Sequence, residues 1–305
     1  MRSDRLKIFL AFLAVSTIWG STWLAIKLGL KTVPPFLSAG LRFVLASSIL
    51  LLIVRARGVT IPTTREARIV YASMGFLSFT VPFALVYWGQ QFIPSALGSI
   101  LFAAYPFWVA LFSILLLPNE RMNAYKAAGI AIGFVGLVVV FSRDLEWTGS
   151  SSLPGMIAVM TSAALQGFSL IIVKKYGGPI SPFAMNGIGM AIGAVGLLTL
   201  ALLFEPVGSA VWTSQAVLSI VYLALFGSVV TFVSYYWLLK RTDAVYLSLT
   251  SFINPIVAVF LGVVFMGEHL GPTVLTGAAL VLLGIAVANG RALAARIRGA
   301  GGEAG

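Results

Sequence analysis

The sequence predicts an all-α integral membrane protein of ten transmembrane helices, arranged as a 5+5 inverted repeat with both termini cytoplasmic. Three observations predict it: composition, the distribution of Lys and Arg, and a self-match between the halves. Of 305 residues, 59% are hydrophobic and only 10% charged, with a mean hydropathy of +1.01. A soluble domain carries roughly 45–50% apolar and about 25% charged residues. That balance excludes a water-soluble enzyme and any disordered or fibrous chain.

A helix crosses the ~30 Å hydrocarbon core with about 20 apolar residues. Ten stretches qualify: 8–30, 36–54, 68–90, 95–117, 124–141, 155–174, 182–203, 215–238, 244–266 and 272–290. The basic start, Met1–Lys7, leads into the first stretch as a signal peptide would. That stretch carries Lys27 and has no clear cleavage site after it, so it reads as an uncleaved span. The connections are too short to fold as separate soluble domains. Ten spans put both ends on one side. Of the 20 Lys and Arg residues, all but Lys27, Lys31, Arg42 and Arg143 fall on the N-terminal side. Cytoplasmic segments carry the Lys/Arg excess, which places both termini inside. The net charge of +11 therefore reads as topology. The expected partner is the lipid bilayer and not nucleic acid.

The halves match at a steady offset. Tyr87-Trp88 and Pro106 recur as Tyr236-Trp237 and Pro255, each 149 residues later, and Ser99 falls on Ser248 in the same register. After a one-residue slip, Glu120 meets Glu268, Gly129 meets Gly277 and Gly136 meets Gly284, each 148 apart. Gly20 and Lys27 meet Gly167 and Lys174 at 147. The unit holds five spans, an odd number, so the halves must lie in the membrane with opposite orientation. The expected division is 1–145 and 146–290, followed by a basic cytoplasmic tail at 291–305. Inverted repeats are the hallmark of secondary transporters, which bind near the midplane and expose the site alternately.

Three stretches carry a family resemblance. Trp19–Lys27 reads WGSTWLAIK, Ala39–Arg42 with Phe43 forms a second-helix pattern ending in arginine, and Ser95–Glu120 around Pro106 recurs as Val245–Glu268 around Pro255. With these the chain resembles the drug/metabolite transporter (DMT) superfamily, in its EamA-type branch of ten-helix metabolite exporters. The resemblance covers residues 6–290. It implies two EamA-like five-helix repeats around a central cavity, walled by the third, fourth, eighth and ninth spans, and export of small metabolites such as amino acids. Small multidrug exporters of the superfamily carry a glutamate in the first helix. Here that helix has Lys27 and no acid within the membrane, which argues against their cation and proton mechanism.

Ionisable groups inside a membrane are costly and become functional candidates by default. Arg42, two turns into the second span, is expected to face the bundle, either binding a substrate carboxylate bidentately or capping carbonyls of a neighbouring helix. It has no counterpart across the repeat, since the position 147 later is Gly189. Lys27, near the outer end of the first span, either snorkels to the headgroups or takes part in binding. Two charge pairs, Lys27 with Glu268 outside and Lys174 with Glu120 inside, are candidate latches, against the plainer reading of ordinary helix-end charges. Pro82, Pro106 and Pro255 fall inside spans and are candidate hinges, because freed carbonyls there need partners or a cavity. Asn254 is placed to bond a ligand or another helix. Trp19, Trp23, Tyr87, Trp88, Tyr235 and Tyr236 are either interface anchors or an aromatic substrate lining. Gly129-Gly133 and Gly189-Gly193 form GxxxG pairs, with packing inside one chain as the default and a homodimer as the alternative to a monomer.

With no cysteine and only His269, disulfides, thiolate chemistry and multi-histidine metal sites are excluded, and no metal or cofactor is expected. The reading is a secondary transporter, not an enzyme, in a bacterial cytoplasmic (inner) membrane. It exports small organic metabolites, with amino acids or related compounds fitting best. The alternatives are a nucleotide-sugar or sugar-phosphate exchanger and a broad drug exporter. A lipid-modifying membrane enzyme would need clustered acids or histidines, and a passive channel would not show exchange.

Overall fold

A computed structural model describes residues 2–117, 124–147, 152–239, 241, 250–288 and 290, and their regular structure is helical. Helices α1 (Arg2–Gly29) and α2 (Pro35–Ala56) are followed by a composite third unit. It consists of α3 (Arg65–Ser73), a π-helical segment Met74–Thr80, and α4 (Val81–Gly89). The fourth unit is split into α5 (Ser95–Phe102) and α6 (Tyr105–Leu116). Then come α7 (Ala124–Trp147), α8 (Leu153–Tyr176) and α9 (Pro182–Phe204). A second composite joins α10 (Ser214–Ala224), a π segment Leu225–Val230 and α11 (Thr231–Leu239). Helices α12 (Thr250–Met266) and α13 (Pro272–Ala288) complete the bundle.

Eight of these units are long and apolar enough to cross a membrane, and two shorter apolar helices, Ile253–Met266 and Pro272–Ala288, accompany them. The ninth stretch of the sequence is described only from Thr250 onward. Many large apolar side chains, among them Leu115, Phe134, Leu202 and Phe265, face outward. An outer surface of that kind belongs against lipid.

Local chemistry sets the helix starts. Pro35, Pro154, Pro182 and Pro272 sit in the first turns of α2, α8, α9 and α13, where a missing N–H costs nothing. Thr64 and Thr213 cap α3 and α10 by accepting from Ala67 N–H and Ala216 N–H, both at 3.2 Å.

The packing partners form a reciprocal set. Helix α1 packs on α10 and α12, while α8 packs on α4 and α6. Helix α2 pairs with α9, and α7 packs chiefly on α13. Small residues permit the last contact: a Cβ on Gly136 would lie 2.7 Å from Gly277 O, and one on Gly284 would lie 2.8 Å from Gly133 Cα. The Gly129-Gly133 pair thus packs within the chain. Gly189 and Gly193 do likewise against Met74 and Phe79. The core runs continuously through Phe43, Leu50, Phe79, Tyr87, Ile100, Met190 and Leu197.

Candidate functional site

Arg42 lies at the centre, 3% exposed. Its Nε donates to Ser228 Oγ at 3.0 Å, Nη1 to Tyr87 Oη at 3.4 Å and Nη2 to the Gly227 carbonyl at 3.1 Å. Two aromatic faces flank it, Phe83 at 4.9 Å and Phe43 at 5.2 Å from ring centroid to guanidinium carbon. Gly227 and Ser228 belong to the second π segment. A π segment misaligns carbonyls that an α-helix would pair, and Arg42 takes one of them. Ser228 Oγ donates in turn to Leu223 O, five residues back, at 3.0 Å. In the first π segment Thr80 Oγ1 does the same to Gly75 O at 2.9 Å. Among the described residues no carboxylate pairs with Arg42. A buried guanidinium held only by neutral groups keeps its full positive charge available.

Aromatic rings surround this cation. Phe43 meets Phe79 and Phe83 edge-on, at 5.1 and 4.7 Å. Phe79 reaches Phe232 at 5.8 Å, and Trp19 packs on Phe232 and Tyr235 at 5.6 and 5.2 Å. Trp23 is buried against Phe102 at 5.7 Å. Tyr87 is wholly buried, whereas Trp88 packs on Phe92 near the helix end. Tyr87 thus bonds Arg42 directly, Trp19 and Tyr235 connect to it only through the rings of Phe232, Phe79 and Phe43, and Trp88 stands apart. Tyr236 lies in α11, and its side chain is outside the described residues, as is Glu120.

Lys27 and Glu268 grip one turn from two sides. Lys27 Nζ donates to Gln90 O at 2.5 Å and Ile93 O at 2.8 Å, capping carbonyls at the end of α4. Glu268 accepts from Ser95 N–H and Ser95 Oγ, both at 2.7 Å, and from Ala96 N–H at 2.9 Å, capping the start of α5. Each charge meets the helix end of opposite polarity. The hydrogen bonds of both go to the turn between α4 and α5. Gly267 delivers the carboxylate: its φ of +63° suits glycine, and Glu268 N–H then bonds Gly262 O at 3.1 Å. Lys174, in the last turn of α8, is exposed.

Asn254, with its amide nitrogen turned toward them, donates to Ser16 O at 2.9 Å and Thr250 O at 3.0 Å. It therefore ties α12 to α1. Pro82 and Pro106 stand in the first turns of α4 and α6, directly after the π segment and after the α5–α6 break. Pro255 is carried inside α12 without a break.

One long-range helix cap has no signal in the sequence. Glu205, just past α9, accepts from Phe36 N–H at 2.6 Å and Leu37 N–H at 2.9 Å, capping α2. Burial pushes its carboxyl above the usual range, a rise that these two donors only partly oppose. The partner lies 169 residues away in sequence, beyond any local signal. A cleft of about 570 Å³ among Trp108, Phe134, Phe141, Ile157 and Met160 opens on the flank between α6, α7 and α8. A smaller one of about 330 Å³ includes Lys31, Gln91 and Ser209.

Two matches to one family profile decide what this architecture is: the EamA-like transporter family matches residues 6–142 and again 153–290. The chain belongs to the EamA-like transporter family. It is 32% identical over 279 residues to the uncharacterized transporter YoaV of Bacillus subtilis, covering 92% of this chain and 95% of that one. It is 28% identical over 266 residues to the uncharacterized inner membrane transporter YedA of Escherichia coli K12, covering 87% and 85%. Protein PagO of Salmonella typhimurium is 26% identical over 257 residues, covering 84% of each. A solved crystal structure superposes with a TM-score of 0.68 at 23% identity, covering 95% of this chain and 98% of its own, a likeness of fold. This EamA-family chain is a multi-pass inner-membrane transporter, drawn from the same superfamily that its first-helix and repeat motifs resemble.

Proposed function

We propose that this chain is a secondary transporter that exports small organic acids or zwitterions, amino acids and related compounds foremost, by alternating access between two inverted five-helix halves. The observation that carries the substrate reading is Arg42: a buried cation with neutral partners, placed where α2 and α4 of one half meet the π segment of the other. An unpaired charge is expensive to bury, and a carboxylate arriving there gains a charge-assisted, bidentate partner. Aromatic walls suit the apolar part of such a substrate.

The reciprocal packing supports the inverted architecture. If α1 corresponds to α8, then the contacts of α1 with the composite α10–α11 and with α12 are repeated by α8 with the composite α3–α4 and with α5 and α6. Ten spans with both termini cytoplasmic complete the reading, with residues 244–266 and 272–290 as the ninth and tenth. In that topology the turn held by Lys27 and Glu268 lies outside, and their grip is the closed external latch. Substrate counterflow between the two faces then requires this turn to let go.

Counterflow in proteoliposomes tests the proposal. Protein loaded with unlabelled amino acids should accumulate a labelled trace amino acid, and Arg42→Ala should abolish accumulation while remaining folded. Absence of accumulation across amino acids and simple carboxylates, or full activity in Arg42→Ala, would overturn it.

A further inference from the structure

Two buried polar side chains, each one helical turn from a residue that bonds Arg42, have no partners of their own. Gln90 is 0% exposed, and neither its amide nitrogen nor its amide oxygen has a hydrogen-bond partner. Its backbone is fixed, since Gln90 N–H bonds Val86 O at 2.9 Å and Gln90 O accepts from Lys27. It stands three residues after Tyr87, the phenol bonded to Arg42. Residues three apart are neighbours on a helix face, and helical side chains lean toward the helix N-terminus, here back toward Tyr87. Thr231 Oγ1 is likewise buried and unpartnered. It stands three residues after Ser228, the hydroxyl bonded to Arg42.

These two groups lie on opposite sides of Arg42. Lys27 at the end of α1 bonds the end of α4, and Thr32, just past α1, lies 3.4 Å from Thr213, the cap at the start of α10. Helix α4 therefore runs toward the end from which α10 departs. Gln90 lies beyond Tyr87 toward that end, and Thr231 lies beyond Ser228 away from it.

A buried amide with nothing to bond costs about 1–3 kcal/mol, and native structures hold few such groups. An apolar side chain at position 90 would avoid that cost. Building on the reading of Arg42 above, we propose that Gln90, with Thr231 opposite, forms a polar subsite for the substrate. Arg42 takes the carboxylate, and Gln90, which both donates and accepts, takes a second hydrogen-bonding group. The substrate class is then a carboxylic acid bearing an amino, hydroxyl or carboxamide group, selected over the same acid without it.

The test compares leucine with its deaminated analogue 4-methylpentanoate in counterflow by wild type, Gln90→Met, Gln90→Asn and Arg42→Ala. Gln90→Met should raise the unfolding midpoint by about 2–4 °C, because an unpaired amide is gone. The same variant should lose about 5- to 10-fold of the wild-type preference for leucine while still moving 4-methylpentanoate. Gln90→Asn should restore part of the preference. A Gln90→Met protein that keeps the wild-type ratio overturns the subsite and marks a water-filled amide instead. Equal transport of both acids by wild type also overturns it. Arg42→Ala that still moves both acids, or a wild type that moves neither, overturns the underlying reading of Arg42 independently of Gln90.

Discussion

The composite helix α3–α4 and its counterpart α10–α11 begin from one local plan. Thr64 and Thr213 cap them at the same 3.2 Å distance onto Ala67 and Ala216, and both pairs stand 149 residues apart, the offset that joins Tyr87 to Tyr236. Both then pass through a π segment in which a hydroxyl bonds the carbonyl five residues back. After that they differ. The first half follows with a helix broken between Phe102 and Tyr105, whereas in the second α12 runs through Pro255 unbroken. The first half also supplies Arg42, which reaches across to the π segment of the second. Shared devices therefore build the scaffold, and the asymmetric Arg42 contact joins one half to the other.

The largest effect that would break this division is at Arg42. Arg42→Ala should lower counterflow at least about 30-fold, since truncating one partner of a buried hydrogen-bonded charge contact costs about 2–5 kcal/mol. A variant with near-normal counterflow would make Arg42 scaffold like the rest.

Next comes a test of the shared scaffold. Gly284→Leu drives a side chain into the backbone of α7, where overpacking costs about 1–3 kcal/mol. The unfolding midpoint should fall, and the counterflow of the protein that stays folded should keep its substrate preference. A changed preference would tie the α7–α13 pair to the site.

A smaller effect is expected at the latch. Glu268→Gln weakens a helix cap by about 1 kcal/mol, a shift of about fivefold in the open population. The chain has no cysteine, so Ser99→Cys is a clean reporter of opening, read with an impermeant maleimide. Labelling should rise about fivefold with Glu268→Gln, and adding Lys27→Met should raise it by less than the two single effects combined. Simple additivity would dissolve the latch into two independent caps.

The smallest is a pH effect at Glu205. Burial raises its carboxyl, so the folded state holds the proton more tightly than the unfolded one. Its contribution to stability is complete below the ordinary carboxylate value of 4.5 and fades as pH rises through the raised value. Midpoints measured across that window should decline in wild type and lie flat in Glu205→Gln. A parallel decline in both would assign the slope to another group.

Much of this was legible in the sequence. Hydropathy located the apolar units to within a few residues, the repeat offsets single out Glu268 and Lys27, and the cost of an ionisable group inside a span singles out Arg42. The paired threonine caps are readable at the same offset. Other features had no local trace. The π segments leave the apolar pattern of their helices intact, and Arg42 meets Ser228 across 186 residues. Glu205 meets Phe36 across 169. Asn254 was equally compatible with a ligand or a helix contact, and only the positions of Ser16 and Thr250 show the helix contact. The orphaned amide of Gln90 is invisible in sequence, because absence of a partner is a property of the packed bundle.

A substrate carboxylate held by Arg42 is open to a direct test. The most direct measurement pairs each transported amino acid with its carboxamide analogue as a competitor of counterflow, in wild type and in Arg42→Gln. Wild type should prefer the free acid by about 30-fold or more, and Arg42→Gln should erase that preference. An unchanged preference for the acid in Arg42→Gln would contradict a carboxylate held there.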